Sequence, residues 1–137
     1  MPESPVATPG NLRASSPDDP IKDDVLAAAA HQARERFYGQ KGEQAARFLT
    51  RCFANVAGDD VRHLGRDQAY GAAIALWQFA ARRQPGEIRL RLSNPRIEVH
   101  GWQCGHTVLE TINDDMPFLV ESLTGALNRA GLTVHLV

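Results

Sequence analysis

An α+β fold is predicted for this chain by three observations: apolar residues recur at helical spacing through its middle, the period switches to two after Gly86, and one more helical run returns near the end. With 137 residues and 43% hydrophobic content, the chain has room for one modest core.

The first stretch sets a boundary. Five of the eight prolines fall within the first twenty residues, beside Ser15, Ser16, Asp18 and Asp19. Such a segment buries too little apolar area to offset its ordering entropy, so residues 1–21 are expected to be a disordered tail. A helical segment then runs over 22–84. Its first helix carries Leu26, Ala29, Ala30, Ala33 and Phe37 on one face and is expected to end at Gly39. The second places Ala45, Phe48, Leu49, Cys52, Phe53 and Val56 on one stripe, with Gly58 as its stop. Asp59 and Asp60 suit the cap of a short turn. Beyond that turn Tyr70, Ala73, Ile74, Trp77 and Ala81 define a third helix, closed by Pro85-Gly86.

Residues 85–137 read differently. Ile88, Leu90 and Leu92 alternate with Arg89 and Arg91 until Asn94-Pro95, as a half-exposed strand does. Ile97 and Val99 briefly continue the alternation, Gly101 to Gly105 reads as a loop, and Thr107 to Asn113 as a second strand. A helix is expected over Met116–Ala130, with Leu119, Leu123, Ala126, Leu127 and Ala130 on one face, Pro117 in its first turn and Gly131 at its stop. Leu132, Val134 and Leu136 alternate as a third strand. A β-α-β unit needs further elements to cover its sheet, so this order predicts a domain cut at its C-terminal end.

Charge and targeting exclude several classes. Fifteen Lys and Arg against sixteen Asp and Glu leave a net charge of -1, with no overall basic field to recruit nucleic acid or an anionic membrane. The start lacks the basic and apolar segments of a secretory signal, and no apolar run reaches bilayer length, so a cytoplasmic chain without a membrane span is expected. In a reducing compartment Cys52 and Cys104 are expected to be free thiols, with Cys52 in the core.

Three clusters invite chemistry. Asn113, Asp114, Asp115, Met116, Pro117 and Phe118 join the second strand to its helix. They read as a capped strand-to-helix turn or, less economically, as a paired-carboxylate site without nucleophile or base. His100, Cys104 and His106 offer three metal-ligand types without an evident fourth, against a reading as loop and strand-edge side chains. Arg82, Arg83, Arg89, Arg91 and Arg96, with Trp102 nearby, suit either an RNA-binding face with an aromatic platform or a solvated sheet face paired with neighbouring acids. No dinucleotide-binding, phosphate-loop or nucleophile-elbow motif occurs, so neither catalytic nor cofactor-binding residues are assigned.

The ordered series Tyr70-Gly71-Ala72-Ala73, Trp77-Gln78-Phe79-Ala80, Arg82-Arg83-Gln84-Pro85-Gly86, Asn94-Pro95, His100-Gly101-Trp102, His106-Thr107-Val108 and Asn113 through Val120 resembles the start of the large bacterial NAD-specific glutamate dehydrogenases. The resemblance covers roughly Phe37 to Val137. It implies N-terminal helices followed by a truncated ACT-like, ferredoxin-like β-β-α-β unit, the first of several regulatory domains. The implied parent reaction is oxidative deamination of glutamate to 2-oxoglutarate with NAD, the NAD and glutamate sites lying downstream of this region. The segment Asp115 to Leu123 also looks like the first strand-to-helix turn of ACT domains, with Phe118 standing where a Gly lets an effector amino acid approach. The implied partners are the rest of the dehydrogenase polypeptide and a second copy paired through the ACT-like sheet. The alternative is a stand-alone amino-acid-sensing ACT module, with a small RNA-binding sheet as a more distant reading.

Overall fold

The computed structural model describes residues 19–135 and residue 137. The tail expected over residues 1–21 lies outside the described residues up to 18, but its last residues are helical, because α1 spans Pro20–Arg36. The Asp19 carboxylate accepts hydrogen bonds from the Ile21 and Lys22 N–H groups at 3.1 Å, and Pro20 supplies a pre-set φ at a position that needs no N–H. A good cap therefore outweighs the proline-rich composition before it. Helix α1 ends at Arg36, with Phe37 as its cap, three residues before Gly39.

Helix α2 covers Gln40–Cys52 and α3 covers Gly58–Ala80. The expected stop at Gly58 is instead the first residue of α3, and α2 ends six residues earlier. A buried ammonium accounts for the difference: Lys22 Nζ donates to the carbonyls of Ala54 at 3.0 Å and Val56 at 2.6 Å, which takes both out of any helical ladder. Two carbonyl partners offset part of the cost of burying that charge. Asp59 and Asp60 lie in the first turn of α3 without capping it, and Asp59 pairs with Arg62. The expected break between that turn and the main helix survives as a kink at Gly65, where φ is 75°.

The three helices form the core. Leu26, Ala29, Leu49, Phe53, Val56, Val61, Ala69 and Ala73 make one buried cluster, and Ala30, Ala33, Ala45, Ala46 and Ile74 a second. Ten of these thirteen are residues that the helical spacing selects; Ala46, Val61 and Ala69 are additions, and Ala81, selected for the third helix, is exposed. The many alanines let the helices approach closely. Cys52 packs against the first cluster, and burial, assisted by the Glu110 carboxylate, pushes its thiol above the ordinary value. Both cysteines are free thiols.

Strands β1 (Arg89–Ser93) and β2 (Val108–Ile112) pair antiparallel, with Arg91 opposite Glu110 and Leu92 opposite Leu109. The α+β expectation is met: helices come first, and a two-stranded sheet with a further helix follows. Its orientation is a surprise. The arginine side of β1 faces α3, while Leu90 and Leu92 are 66% and 67% exposed. Arg89 and Arg91 lie over the Phe79 ring, their guanidinium carbons 4.7 and 4.3 Å from its centroid. Arg89 Nη1 also donates at 3.3 Å to the Phe79 carbonyl, one of the last four of α3 and so without a helical partner. Aromatic stacking and the free Phe79 carbonyl thus draw the guanidinium groups inward.

Ile97 and Val99 do not extend a strand. They belong to a helical turn, α4 (Ile97–His100), terminated by Gly101 in the left-handed region, and the His100 Nδ1 accepts the Arg96 N–H at 3.0 Å. Helix α5 spans Leu119–Arg129, shorter at its start than expected because Pro117 precedes the helix instead of entering its first turn. Its end is as read: Gly131, with φ of 77°, lets its own N–H reach the Asn128 carbonyl and the Leu132 N–H reach that of Leu127, each at 3.0 Å. The third strand expected at Leu132, Val134 and Leu136 is not formed among the described residues. Leu132–His135 join no ladder, and Leu136 lies outside the described residues. The His135 ring stacks instead on His106, with centroids 4.5 Å apart.

The core assignment makes a direct comparison. Leu49→Ala should lower unfolding stability by about 2–5 kcal/mol, as large-to-small changes at fully buried sites do. Leu92→Ala should change it by less than about 0.5 kcal/mol, although leucine is removed in both cases. Urea unfolding midpoints of the two variants test which leucines the fold uses.

Candidate functional site

The turn between β2 and α5 is open. Asn113 Nδ2 donates to the Asp114 carbonyl at 2.9 Å, Asp114 pairs with Arg83, and Asp115, Met116 and Pro117 are exposed. Neither aspartate caps α5, contrary to the expected capped turn, because Phe118 occupies the cap position with no side-chain hydrogen bond to the helix. Phe118 is 73% exposed and, at φ of 60°, is the one non-glycine residue with positive φ among those described. A phenylalanine is thus held in a conformation that suits glycine, at the place where the resemblance expects one.

Arg83 anchors the other side of this turn. Its Nε donates to the Glu87 carbonyl at 2.8 Å while its Nη2 binds Asp114, so the end of α3, the Gly86 turn and the start of the α5 connection are tied together. The Arg83 side chain, followed by the Gly86 backbone N–H, holds the Asp114 carboxyl below the ordinary carboxylate range.

The remaining candidates are dispersed or enclosed. His100 binds its own helical turn, the Cys104 thiol donates to the His106 carbonyl at 3.1 Å, and His106 stacks on His135. Among the described residues no three His, Cys, Asp or Glu side chains come together as metal ligands. Trp102 is only 6% exposed, and a Cβ at position 71 would collide with it, so the indole packs on Gly71 of α3 and offers no platform for a base. Two of the five arginines are paired as the alternative reading expected: Arg83 with Asp114, and Arg91 with Glu110 through Nε and Nη2, the latter 2.8 Å from Oε1. Glu110, 9% exposed, and Phe79 are the partners that sequence reasoning missed. Only the strand register, which sets Glu110 opposite Arg91, could have shown the first.

With this geometry in view, comparison with known proteins is decisive. The family model described as the glutamate dehydrogenase ACT1 domain matches residues 48–137. The chain belongs to this family. The match includes the end of α2, all of α3, both strands and α5, so the exposed turn and the arginine face are parts of an ACT1 region. The NAD-specific glutamate dehydrogenase of Halomonas elongata is 34% identical over 114 residues, which is 83% of this chain and 7% of that protein. That of Pseudomonas aeruginosa is 32% identical over 92 residues, 67% of this chain and 6% of that protein. The chain therefore spans under a tenth of the length of these relatives. No solved structure matches it.

Two outcomes follow for the ACT1 turn. Replacing Phe118 by Gly removes a left-handed penalty of about 1–2 kcal/mol and adds unfolded-chain entropy of about 0.5–1 kcal/mol, so Phe118→Gly should raise stability slightly while Phe118→Val lowers it. Thermal unfolding of both variants distinguishes strain at this position from a conformation that phenylalanine tolerates freely. The second outcome concerns acid. Because the folded value of Asp114 lies below its unfolded one, its stabilisation is complete above the ordinary carboxylate value and is lost as pH falls through the lowered one. Unfolding midpoints of the parent chain and of Asp114→Asn should therefore converge at the acid end, and a gap that stays constant with pH would contradict the pairing.

Proposed function

We propose that this chain is an N-terminal regulatory and assembly segment of an NAD-dependent glutamate dehydrogenase, whose reaction is the oxidative deamination of glutamate to 2-oxoglutarate. The observation that carries the reading is the ACT1 match over residues 48–137 in a chain that corresponds to a small fraction of its relatives. The segment itself performs no catalysis and binds no NAD in this reading, since its sequence has no dinucleotide-binding Gly motif. Its partners are the rest of the dehydrogenase polypeptide and a second copy meeting it through the sheet. The exposed row of Leu90 and Leu92 on β1, with Ile88 just before it, supports an assembly role, because apolar side chains aligned on one sheet face are suited to burial against another surface.

This reading is preferred to a stand-alone amino-acid sensor. At the β2–α5 turn the Phe118 side chain stands where a ligand would approach the helix N-terminus, and free amino acids are expected to bind there weakly or not at all.

Light scattering and activity measurements on the purified chain test the reading together. No NADH should form from NAD and glutamate. The chain should self-associate at high micromolar concentration, and Leu92→Lys should weaken that association while circular dichroism stays unchanged. Turnover by the pure protein, or a folded monomer at all concentrations, would overturn it.

A further inference from the structure

A cleft of about 270 Å³ opens between the C-terminal half of α3 and the arginine face of the sheet, with Gln78, Phe79, Arg82, Arg89, Arg91 and Trp102 on its walls and Glu110 beside them. Its charges do not cancel. Arg91 is neutralised by Glu110 through two hydrogen bonds. The nearest carboxylate oxygen to Arg89, on Glu87, is 3.9 Å away, a weak contact at a partly exposed site. Arg82, exposed and on the wall of the cleft, has no carboxylate partner among the described residues. Two guanidinium groups are thus left with little compensation on one small concave surface.

The cleft is also organised for an anion. The Phe79 ring and carbonyl hold Arg89, so one long side chain is already ordered and its fork is in place. The carbonyls of Ala75 and Phe79, which would repel negative charge, accept from Arg91 and Arg89 and are screened by them. Arg91 with Glu110 shows the planar pairing that a second carboxylate would use with a free guanidinium. The volume lies just under the usual range for drug-sized ligands, which limits the occupant to a small molecule.

We propose that this cleft is a binding site for a small doubly charged oxyanion, a short dicarboxylate or a phosphate group, gripped by Arg82 and Arg89. The site shares no residue with the Asn113–Phe118 turn and stands independently of the proposed role in a dehydrogenase.

The test is calorimetric titration of the 137-residue chain with succinate, inorganic phosphate and acetate, paired with the fluorescence of Trp102 and Trp77. Succinate or phosphate should bind more tightly than singly charged acetate, and the preference between the first two names the ligand's headgroup. Arg82→Gln removes a charge that supports nothing else in the fold, and should weaken binding by about tenfold, the worth of one charge-assisted hydrogen bond. Arg129→Gln, on the exposed end of α5, should leave it unchanged. No binding at tens of millimolar, acetate binding as tightly as the dianions, or equal losses from the two arginine variants would overturn the proposal.

Discussion

The stacking of Arg89 and Arg91 on Phe79, with Glu110 closing one of them, is the contact on which the rest of the architecture turns. It joins the hairpin to the helices, and it decides which side of the sheet is covered. Because successive side chains on a strand point to opposite faces, drawing two arginines inward forces Ile88, Leu90 and Leu92 outward. Burial of Glu110 behind Arg91 is then tolerable only as a pair, since removing either partner would leave a desolvated charge without compensation. The apolar row on the surface and the charged cleft beneath it are two results of one choice of register.

A second constraint sits at the other end of the molecule. The helical core is rich in alanine, so its stability depends on close approach more than on large buried side chains; among the described residues only Leu49 and Val61 are both bulky and fully enclosed. Close approach in turn leaves little room for loops. The connection between α2 and α3 is held by Lys22 from α1, and the loop after β1 is seated by Trp102 against Gly71. These two connections are thus each fixed by a contact between residues far apart in the sequence.

That dependence explains what was legible beforehand. Helix faces were readable because period and burial coincide locally: Leu26, Ala29, Ala33, Ala45, Leu49, Ala73 and Ile74 are all buried where their spacing places them. The ends were less readable, since Gly58 stops nothing once Lys22 has claimed the carbonyls before it. Strand positions were clear for β1 and β2, but their facing was not, because alternation identifies two faces without saying which has an aromatic ring waiting for it. At Ile97 a two-residue alternation lost to a local histidine–backbone bond and a glycine stop. Among the candidate sites, the turn residues are neighbours in sequence and could be named together, whereas Glu110 lies 19 positions from its arginine and could only be found through the pairing register.

The enclosure of Lys22 has a practical consequence for handling the protein. Of the two lysines, Lys22 is engaged by two carbonyls inside the bundle, while Lys41 is exposed and lies 5.3 Å from the Phe37 ring. Side-chain coupling to an amine-reactive resin or dye would therefore proceed through Lys41, at the junction of α1 and α2. The arginine cleft and the leucine row, on a separate part of the fold, would remain open to whatever is passed over them.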